Sequence, residues 1–218
     1  MYSVIDVKNW KRSKQYNWFS SFSNPCYGID ATIDVTEVVK FSKMTKTSFF
    51  INFLYVVSKS LNEVEEMRLR VVDGEVRLYD IVHPTYTIKT AGGSFENGSN
   101  EMNFDYYKFY DDAHEEIERK KPQLTVVDAY NTTEYNVFYL TCLPWLEFDA
   151  FTHPIPSGNI ESLSVPRICW SKFTEKEGRY TLTLNITVSH ALVDGEPLAK
   201  VFNLIKENSA NVKKILEK

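Results

Sequence analysis

The sequence has little cysteine, glycine or proline. Its 218 residues include three cysteines, eight glycines and eight prolines. An odd number of cysteines without CxxC spacing indicates neither a disulfide framework nor a zinc site, and unpaired thiols are typical of a reducing cytoplasm. The low glycine and proline content excludes a linker-rich or low-complexity chain. We therefore expect a single cytoplasmic domain over residues 1–218, without a metal.

A basic excess and a long apolar segment are also missing. Lys and Arg number 25 against 29 Asp and Glu, which gives a net charge of −4, whereas proteins that bind nucleic acid usually carry a basic excess. The longest apolar stretch, residues 49–57, is far shorter than the ~20 residues that cross a bilayer. The N-terminus has no basic segment followed by an apolar one. We expect neither nucleic acid nor a membrane as a partner.

Aromatic residues, in contrast, are plentiful. They make up 14% of the chain, with 13 Tyr, 14 Phe and 4 Trp. Such side chains fill cores, ligand pockets and subunit interfaces, and composition alone does not distinguish among these uses.

Hydrophobic periodicity predicts helices and strands in an irregular order. Apolar residues at helical spacing predict a buried helix over residues 48–62, capped by Thr47 or Ser48. Two alternating runs around Asp73-Gly74 predict a β-hairpin. Weaker patterns predict strands at 83–88, 136–142, 164–173 and 180–189, helices at 111–121 and from Gly195 onward, and a surface loop at 91–100. This mixture, without strict βαβ alternation or a GxGxxG fingerprint, indicates an α/β fold of mixed α+β type.

The most informative segment is the predicted strand that leads to His190. Alternate residues from Leu182 to Val188 share one apolar face, and His190 follows on that same face. Asp194 comes four residues later, at a predicted turn into a helix. An imidazole at this position can accept a proton at neutral pH. A histidine that ends an apolar strand is more often a hydrogen-bonded core residue, so the spacing by itself leaves both interpretations open.

Ser189-His190-Ala-Leu-Val-Asp194-Gly195 resembles the His-His-x-x-x-Asp-Gly signature of the trimeric chloramphenicol acetyltransferases. More distantly, it resembles the shorter His-x-x-x-Asp-Gly motif of other CoA-dependent acyltransferases. Residues 6–12, 70–84 and 143–151 resemble the family's N-terminal segment, central hairpin and Pro-Trp segment, in the right order. The resemblance implies a two-layer sandwich of a mostly antiparallel or mixed sheet with helices packed on it. It also implies an O-acetyltransferase that uses acetyl-CoA, needs no metal and acts on a small-molecule hydroxyl acceptor, chloramphenicol or a related compound.

The resemblance assigns roles to five residues around this motif. His190 matches the catalytic base, which removes the proton of the acceptor hydroxyl as that hydroxyl attacks the thioester carbonyl directly, without an acyl-enzyme. Asp194 matches a structural aspartate, and Arg12 matches its arginine partner. The family's active sites lie between the subunits of a homotrimer. Phe19 and Tyr27 match aromatic positions of the acceptor pocket in that arrangement.

Other positions depart from the family pattern. Lys172 and Phe173 match a Lys-Tyr pair near the CoA channel, without the tyrosine hydroxyl. Ser189 replaces the first histidine of the doublet, and Cys169 stands at a threonine position in the substrate pocket. Ala150 replaces a serine whose hydroxyl donates to the oxyanion, and losing one such donor typically lowers the rate ~10²–10³-fold. The sequence therefore predicts reduced activity on chloramphenicol or a different acceptor.

Two alternatives remain beside this interpretation. The catalytic domain of a dihydrolipoyl acyltransferase shares the motif, but such chains normally carry lipoyl modules and long linkers, which this sequence lacks. A homologue that binds CoA or a small ligand without turnover would account for Ala150. The retention of His190, Asp194 and Arg12 favours an active enzyme over complete loss of catalysis.

Overall fold

Strands and helices follow one another irregularly in the structure, a computed structural model that describes residues 1–124, 135–157 and 159–216. The predicted domain of residues 1–218 also includes the two gaps and the last two residues, which lie outside the described residues. The strands are β1 Tyr2–Val4, β2 Cys26–Asp34, β3 Leu69–Val72, β4 Glu75–Tyr79, β5 His83–Lys89, β6 Phe95–Ser99, β7 Val137–Leu143, β8 Arg167–Ser171, β9 Thr174–Lys176 and β10 Arg179–Ser189. The α-helices are α1 Ser13–Ser20, α2 Thr36–Thr45, α3 Phe49–Asn62, α4 Tyr106–Lys120, α5 Ile160–Leu163, α6 Gly195–Ala210 and α7 Val212–Leu216.

Seven of these strands form one large mixed sheet. Its order is β2-β10-β8-β7-β5-β6, and β9 pairs with β10. Strand β7 runs parallel to both β5 and β8, whereas the other neighbours are antiparallel. Strands β1, β4 and β3 form a separate antiparallel sheet. A mixed sheet with helices packed on it confirms the predicted α/β fold of mixed α+β type.

The side chains of β10 show that the large sheet has one apolar face and one polar face. Leu182, Leu184, Ile186 and Val188 are at most 3% exposed and belong to the core that the sheet forms with α2, α3 and α6. Because side chains alternate along a strand, the residues between them, such as Asn185, face away from the helices. The helices therefore cover one side of the sheet and leave the polar side to other segments.

Two local predictions are confirmed by the structure. Helix α3 begins at Phe49, directly after Ser48, whose hydroxyl accepts a hydrogen bond from the Ile51 amide at 3.5 Å. The hairpin joins β3 to β4 through Asp73 and Gly74, with φ values of 53° and 77°. Two consecutive residues in the left-handed region are what a two-residue hairpin turn of this kind requires.

The predicted surface loop over residues 91–100 is wrong, because the edge strand β6 occupies half of it. Gly98 lies directly against β5, and a Cβ there would come 2.4 Å from Cδ1 of Ile88 and 2.9 Å from Cε2 of Tyr86. Glycine is needed at this position for close approach of the chain to large side chains. It therefore does not mark a turn.

The three helices predicted from the sequence are present with shifted bounds, whereas α1, α2, α5 and α7 were not predicted. Helix α4 begins at Tyr106, five residues before the predicted start. Asp105 caps it by accepting hydrogen bonds from the amides of Tyr107 at 3.0 Å and Lys108 at 3.4 Å.

Among the helices of the described chain, none combines the length and the apolar character that crossing a lipid bilayer requires.

Candidate active site

Strand β10 delivers His190 to a tight turn that precedes α6. The His190 amide donates to the Pro25 carbonyl at 2.9 Å, and the amides of Leu192 and Val193 both donate to the Ser189 carbonyl at 3.0 Å. The backbone on both sides of His190 is therefore fixed by hydrogen bonds. Its side chain remains 34% exposed. The turn thus presents an imidazole at the surface from a rigid backbone.

Two aromatic side chains from the N-terminal part of the chain pack on this imidazole. Phe19, on α1, stacks on His190 with ring centroids 3.9 Å apart and an interplanar angle of 9°. Tyr27, on β2, lies 4.6 Å from it at 35°, and its hydroxyl donates to the Val193 carbonyl at 3.3 Å. Burial raises the pKa of Tyr27 to about 12, so this hydroxyl keeps its proton at neutral pH. The plane of the His190 ring is therefore set by packing.

Arg12 ties the turn to the N-terminal segment. Its buried guanidinium forms an ion pair with the carboxylate of Asp194. Nη2 of Arg12 also donates to the carbonyls of His190, at 3.3 Å, and Ala191, at 3.5 Å. A guanidinium suits this position because its N–H groups project in a fixed planar fork. One cation thus neutralises Asp194 and holds the backbone of His190.

Asp194 also faces the ring of His190. Its Oδ1 lies 3.4 Å from Nδ1 of His190. Nδ1 is buried and has no hydrogen-bond partner among the residues that the structure describes. Because Nδ1 is enclosed while a third of the side chain is exposed, the opposite edge of the ring, which carries Nε2, is the edge that a ligand can approach.

Ala150 and Cys169 lie apart from His190 within one chain. The residue after Ala150 is anchored on the polar sheet face: the Phe151 amide donates to Oδ1 of Asp30 at 3.1 Å, and the Phe151 carbonyl accepts from Nδ2 of Asn185 at 3.0 Å. Cys169, opposite Asn185 in the sheet, is fully buried, and burial raises its pKa to about 12. Asn185 precedes His190 by five residues, or ~16 Å along a strand.

Lys172 and Phe173 stand near the opposite end of β10. Phe173 packs edge-on against Phe49, with centroids 4.8 Å apart, and against Tyr180, at 5.7 Å. The Lys172 amide donates to the Leu146 carbonyl at 2.9 Å, and its side chain is exposed. The nine predicted site residues thus fall into three groups. Five surround the turn at His190, two lie on the polar face and two lie beyond the end of β8.

A cavity of about 1330 Å³ lies on the polar face of the large sheet, over β5, β6, β7 and the start of β8. The strand register aligns Arg167 on β8 with Tyr139 on β7 and Thr85 on β5. Two residues further along β7 and β5, the hydroxyls of Thr141 and Thr87 are 2.7 Å apart. The lining residues include these five, with His153, Pro154, Pro156 and Ser162 at one side and Glu96, Asn97, Arg119 and Lys120 at the other.

Arg167 and His153 are not among the residues predicted from the sequence. Arg167 could have been recognised, because it is a charged residue at the start of a five-residue strand that is buried throughout. Unpaired charges are rare in buried strands. His153 lies in an irregular segment and carries no such signal. The described residues contain no group of three or more His, Cys, Asp or Glu side chains arranged to hold a metal ion.

Comparison with known proteins gives a consistent match. A family model described as chloramphenicol acetyltransferase matches residues 1–206. The chain is 26% identical over 207 residues to a chloramphenicol acetyltransferase of Proteus mirabilis, covering 94% of this chain and 93% of that protein. It is 26% identical over 208 residues to chloramphenicol acetyltransferase 3 of Escherichia coli, covering 94% and 96%.

Solved structures are similar over nearly the whole chain. A chloramphenicol acetyltransferase superposes with a TM-score of 0.86 at 26% identity, covering 95% of this chain and 99% of that one. The dihydrolipoamide acetyltransferase of Azotobacter vinelandii superposes with a TM-score of 0.67 at 18% identity, covering 94% and 88%. This second likeness concerns the fold alone.

Proposed function

The chain belongs to the chloramphenicol acetyltransferase family, and from that membership we propose that it transfers the acetyl group of acetyl-CoA to a hydroxyl of chloramphenicol or a related small molecule. Family and fold make the protein an acetyltransferase. One observation carries the proposed mechanism: the imidazole of His190 is held by Phe19, Tyr27 and the turn at Asp194, with Nδ1 buried and about a third of the side chain exposed.

His190 is the proposed general base. Its Nε2 removes the proton of the acceptor hydroxyl as the hydroxyl oxygen bonds to the thioester carbonyl carbon, which becomes a tetrahedral oxyanion. The oxyanion collapses, the carbon–sulfur bond breaks, and the imidazolium returns its proton to the CoA sulfur. The products are the acetyl ester and free CoA. Since Nδ1 is buried beside Asp194, Nε2 is the atom that can make both proton transfers.

Arg12 and Asp194 are proposed as positioning residues. Arg12 contacts the backbone of His190 and not its ring, so it acts by fixing where the imidazole sits. Phe19 and Tyr27 are proposed to contact the acceptor as well, because they pack beside the imidazole that the acceptor hydroxyl must reach. Geometry of this kind matters because a displacement of about 1 Å can lower a rate ~10²-fold.

The oxyanion needs a donor other than the side chain at position 150. Ala150 has no hydroxyl, so a backbone N–H or a water molecule would serve at this point. Cys169 is proposed to line the substrate pocket as a neutral thiol, since burial keeps its proton in place. Both substitutions fit slower transfer to chloramphenicol than a full set of donors would give.

We propose a homotrimer in which each active site lies between two subunits. Within one chain, Ala150 and the cavity lie on the polar sheet face, away from His190, so an intersubunit arrangement would supply what a single chain lacks. The region of α1 and β2 beside His190 also exposes Trp18 (62%), Phe22 (44%) and Ile29 (42%). Exposed aromatic and aliphatic side chains in one region are typical of subunit contacts.

Acetyl-CoA is the proposed co-substrate, and Lys172 and Phe173 are proposed to border its channel. The exposed ammonium of Lys172 can pair with a phosphate, and Phe173 offers an aromatic edge beside it. No metal takes part in this proposal. The three thiols, none of them in a disulfide, fit the proposed cytoplasmic location.

A thiol-release assay tests this function. Acetyl-CoA is supplied with chloramphenicol and a panel of hydroxylated compounds, and free CoA is measured. General-base catalysis contributes ~10²–10⁴-fold, so His190→Ala should lose about that factor while keeping its thermal stability. His114→Ala, an exposed histidine on α4, is the matched control and should keep the rate. Undiminished turnover in His190→Ala would contradict the mechanism.

A second candidate function is favoured by one observation, the missing hydroxyl at Ala150. A homologue that binds CoA or a small ligand without turnover would have no need of an oxyanion donor. Calorimetric CoA binding without thiol release from any acceptor would support this candidate. Thiol release that depends on His190 would exclude it.

A further inference from the structure

We propose that the cavity on the polar sheet face selects an acceptor that carries a carboxylate in addition to its hydroxyl, and that Arg167 binds this carboxylate. The inference rests on the proposed acetyl transfer at a site between two subunits of the homotrimer, and it names the acceptor class for that reaction. Arg167 is then a specificity-determining residue: it binds the acceptor and takes no part in the proton transfer at His190.

Arg167 is a buried cation without a described anionic partner. The residue is 5% exposed. Its Nη2 donates to Oγ of Ser162 at 2.9 Å and its Nη1 to the Val165 carbonyl at 3.0 Å, and the guanidinium lies 5.4 Å from the ring centre of Tyr139. Within the described chain, none of the Asp or Glu carboxylates forms an ion pair with it. Burying a charge is costly unless it is paired, so a ligand carboxylate would supply the missing compensation.

His153 lines the same cavity and carries a polar atom without a described partner. Nε2 of His153 is buried and has no hydrogen-bond partner among the described residues. Burial, and then the charge of Arg167, lower the pKa of His153 to about 4, so the imidazole is neutral at physiological pH. A neutral imidazole can hydrogen-bond to a ligand without adding charge. The site at Arg167 therefore carries one positive charge and an unused polar atom beside it.

The other charged groups that line the cavity are Glu96, Glu101, Arg119 and Lys120, and they do not cancel this field. Glu96 stands on β6 and Glu101 follows that strand, which lies three strands from Arg167, or ~14 Å across the sheet. Arg119 and Lys120 pair with Glu116 on their own helix. A single local cation matches a single negative charge, which favours a carboxylate over a doubly charged phosphate. Chloramphenicol is uncharged and would leave Arg167 without a counter-ion.

Matched pairs of acceptors test the inference. Mandelate and tropate, each beside its uncharged amide, serve as acceptors in the thiol-release assay with the wild type, Arg167→Met, Arg167→Lys and the control Arg179→Met. Arg179 is exposed and pairs with Asp34 outside the cavity. Calorimetric titration of the same acids into the protein without acetyl-CoA measures binding separately. Thermal denaturation verifies that each variant is folded.

We expect the wild type to prefer at least one acid over its amide by about tenfold or more in kcat/KM, as a charge-assisted contact would give. Arg167→Met should lose this preference through a fall for the acid alone, Arg167→Lys should retain part of it, and Arg179→Met all of it. Equal loss for acid and amide, or no preference in the wild type, would overturn the inference and leave acetyl transfer standing. If thiol release fails with every acceptor, the titration decides: acid binding that Arg167→Met weakens supports the inference, and its absence in the wild type overturns it.

Discussion

Replacing Arg12 separates two ways in which this residue could hold His190. Its guanidinium pairs with Asp194 and also donates to the carbonyls of His190 and Ala191. Arg12→Met removes all three contacts with little change in length. Arg12→Lys keeps a charge for Asp194 but has no planar fork for the carbonyls. Asp194→Asn removes the ion pair and leaves the carbonyl contacts in place.

The contacts of Arg12 predict which of the three variants loses most free energy of unfolding. The two carbonyl contacts, at 3.3 and 3.5 Å, are long for a charged donor, and each is assigned about 1 kcal/mol. The Asp194 side chain is 39% exposed, so water screens the ion pair, which is assigned about 1 kcal/mol. In Asp194→Asn the amide oxygen can still accept a hydrogen bond from the buried Arg12 guanidinium. We expect Arg12→Met to lower the free energy of unfolding by about 3 kcal/mol, Arg12→Lys by about 2 and Asp194→Asn by about 1.

Urea unfolding and the thiol-release assay measure the two consequences together. If the carbonyl contacts fix the imidazole, Arg12→Met should lower kcat about tenfold or more, while the KM for acetyl-CoA changes less than about twofold. Asp194→Asn should retain most of kcat. The reasoning is refuted if Asp194→Asn costs as much stability and as much kcat as Arg12→Met, because the ion pair would then be the dominant contact.

Two further predictions concern a missing donor and a buried phenol. Ala150→Ser should raise kcat with chloramphenicol about tenfold or more, since it supplies a hydroxyl for the oxyanion; steady-state kinetics would reject this if kcat did not rise. Tyr55 is 1% exposed and donates to the Phe104 carbonyl at 2.8 Å, and burial raises its pKa to about 12. Because the unfolded chain ionises near pH 10, the stability from this neutral phenol is complete below pH 10 and is lost between pH 10 and 12. Tyr55→Phe should therefore cost about 1 kcal/mol at pH 7 but show a shallower alkaline loss in urea titrations, and an unchanged slope would contradict the assignment.

Much of the fold was predictable because local signals agree with the tertiary structure. The spacing of apolar residues in α3 and the Asp73-Gly74 turn each fix an element without reference to the rest of the chain. The failures occur where long-range contacts decide. Gly98 looks like a loop residue, yet its role is to let β6 pass close to Ile88. Strand β2 alternates weakly and is defined mainly by its pairing with β10.

The candidate site shows the same difference between local signals and long-range contacts. Resemblance to the family pointed to Arg12, Phe19, Tyr27, His190 and Asp194, and the structure brings these five together, with their roles still proposed. The cavity around Arg167 was not predicted, because it arises from register: neighbouring strands align side chains from distant parts of the sequence. A charged residue inside a buried strand was the one available sign of it.

The pairing of β2 with β10 determines when the region around His190 can form during synthesis. It joins residues 26–34 to residues 181–189, and Arg12 meets Asp194 across a sequence separation of 182. Contacts between residues that are so far apart in the sequence form late and slow the folding of a chain. On the ribosome, β2 therefore remains unpaired until almost the whole polypeptide has emerged. The region around His190 is therefore expected to be among the last parts of the protein to become ordered, and a nascent chain released before β10 would lack it entirely.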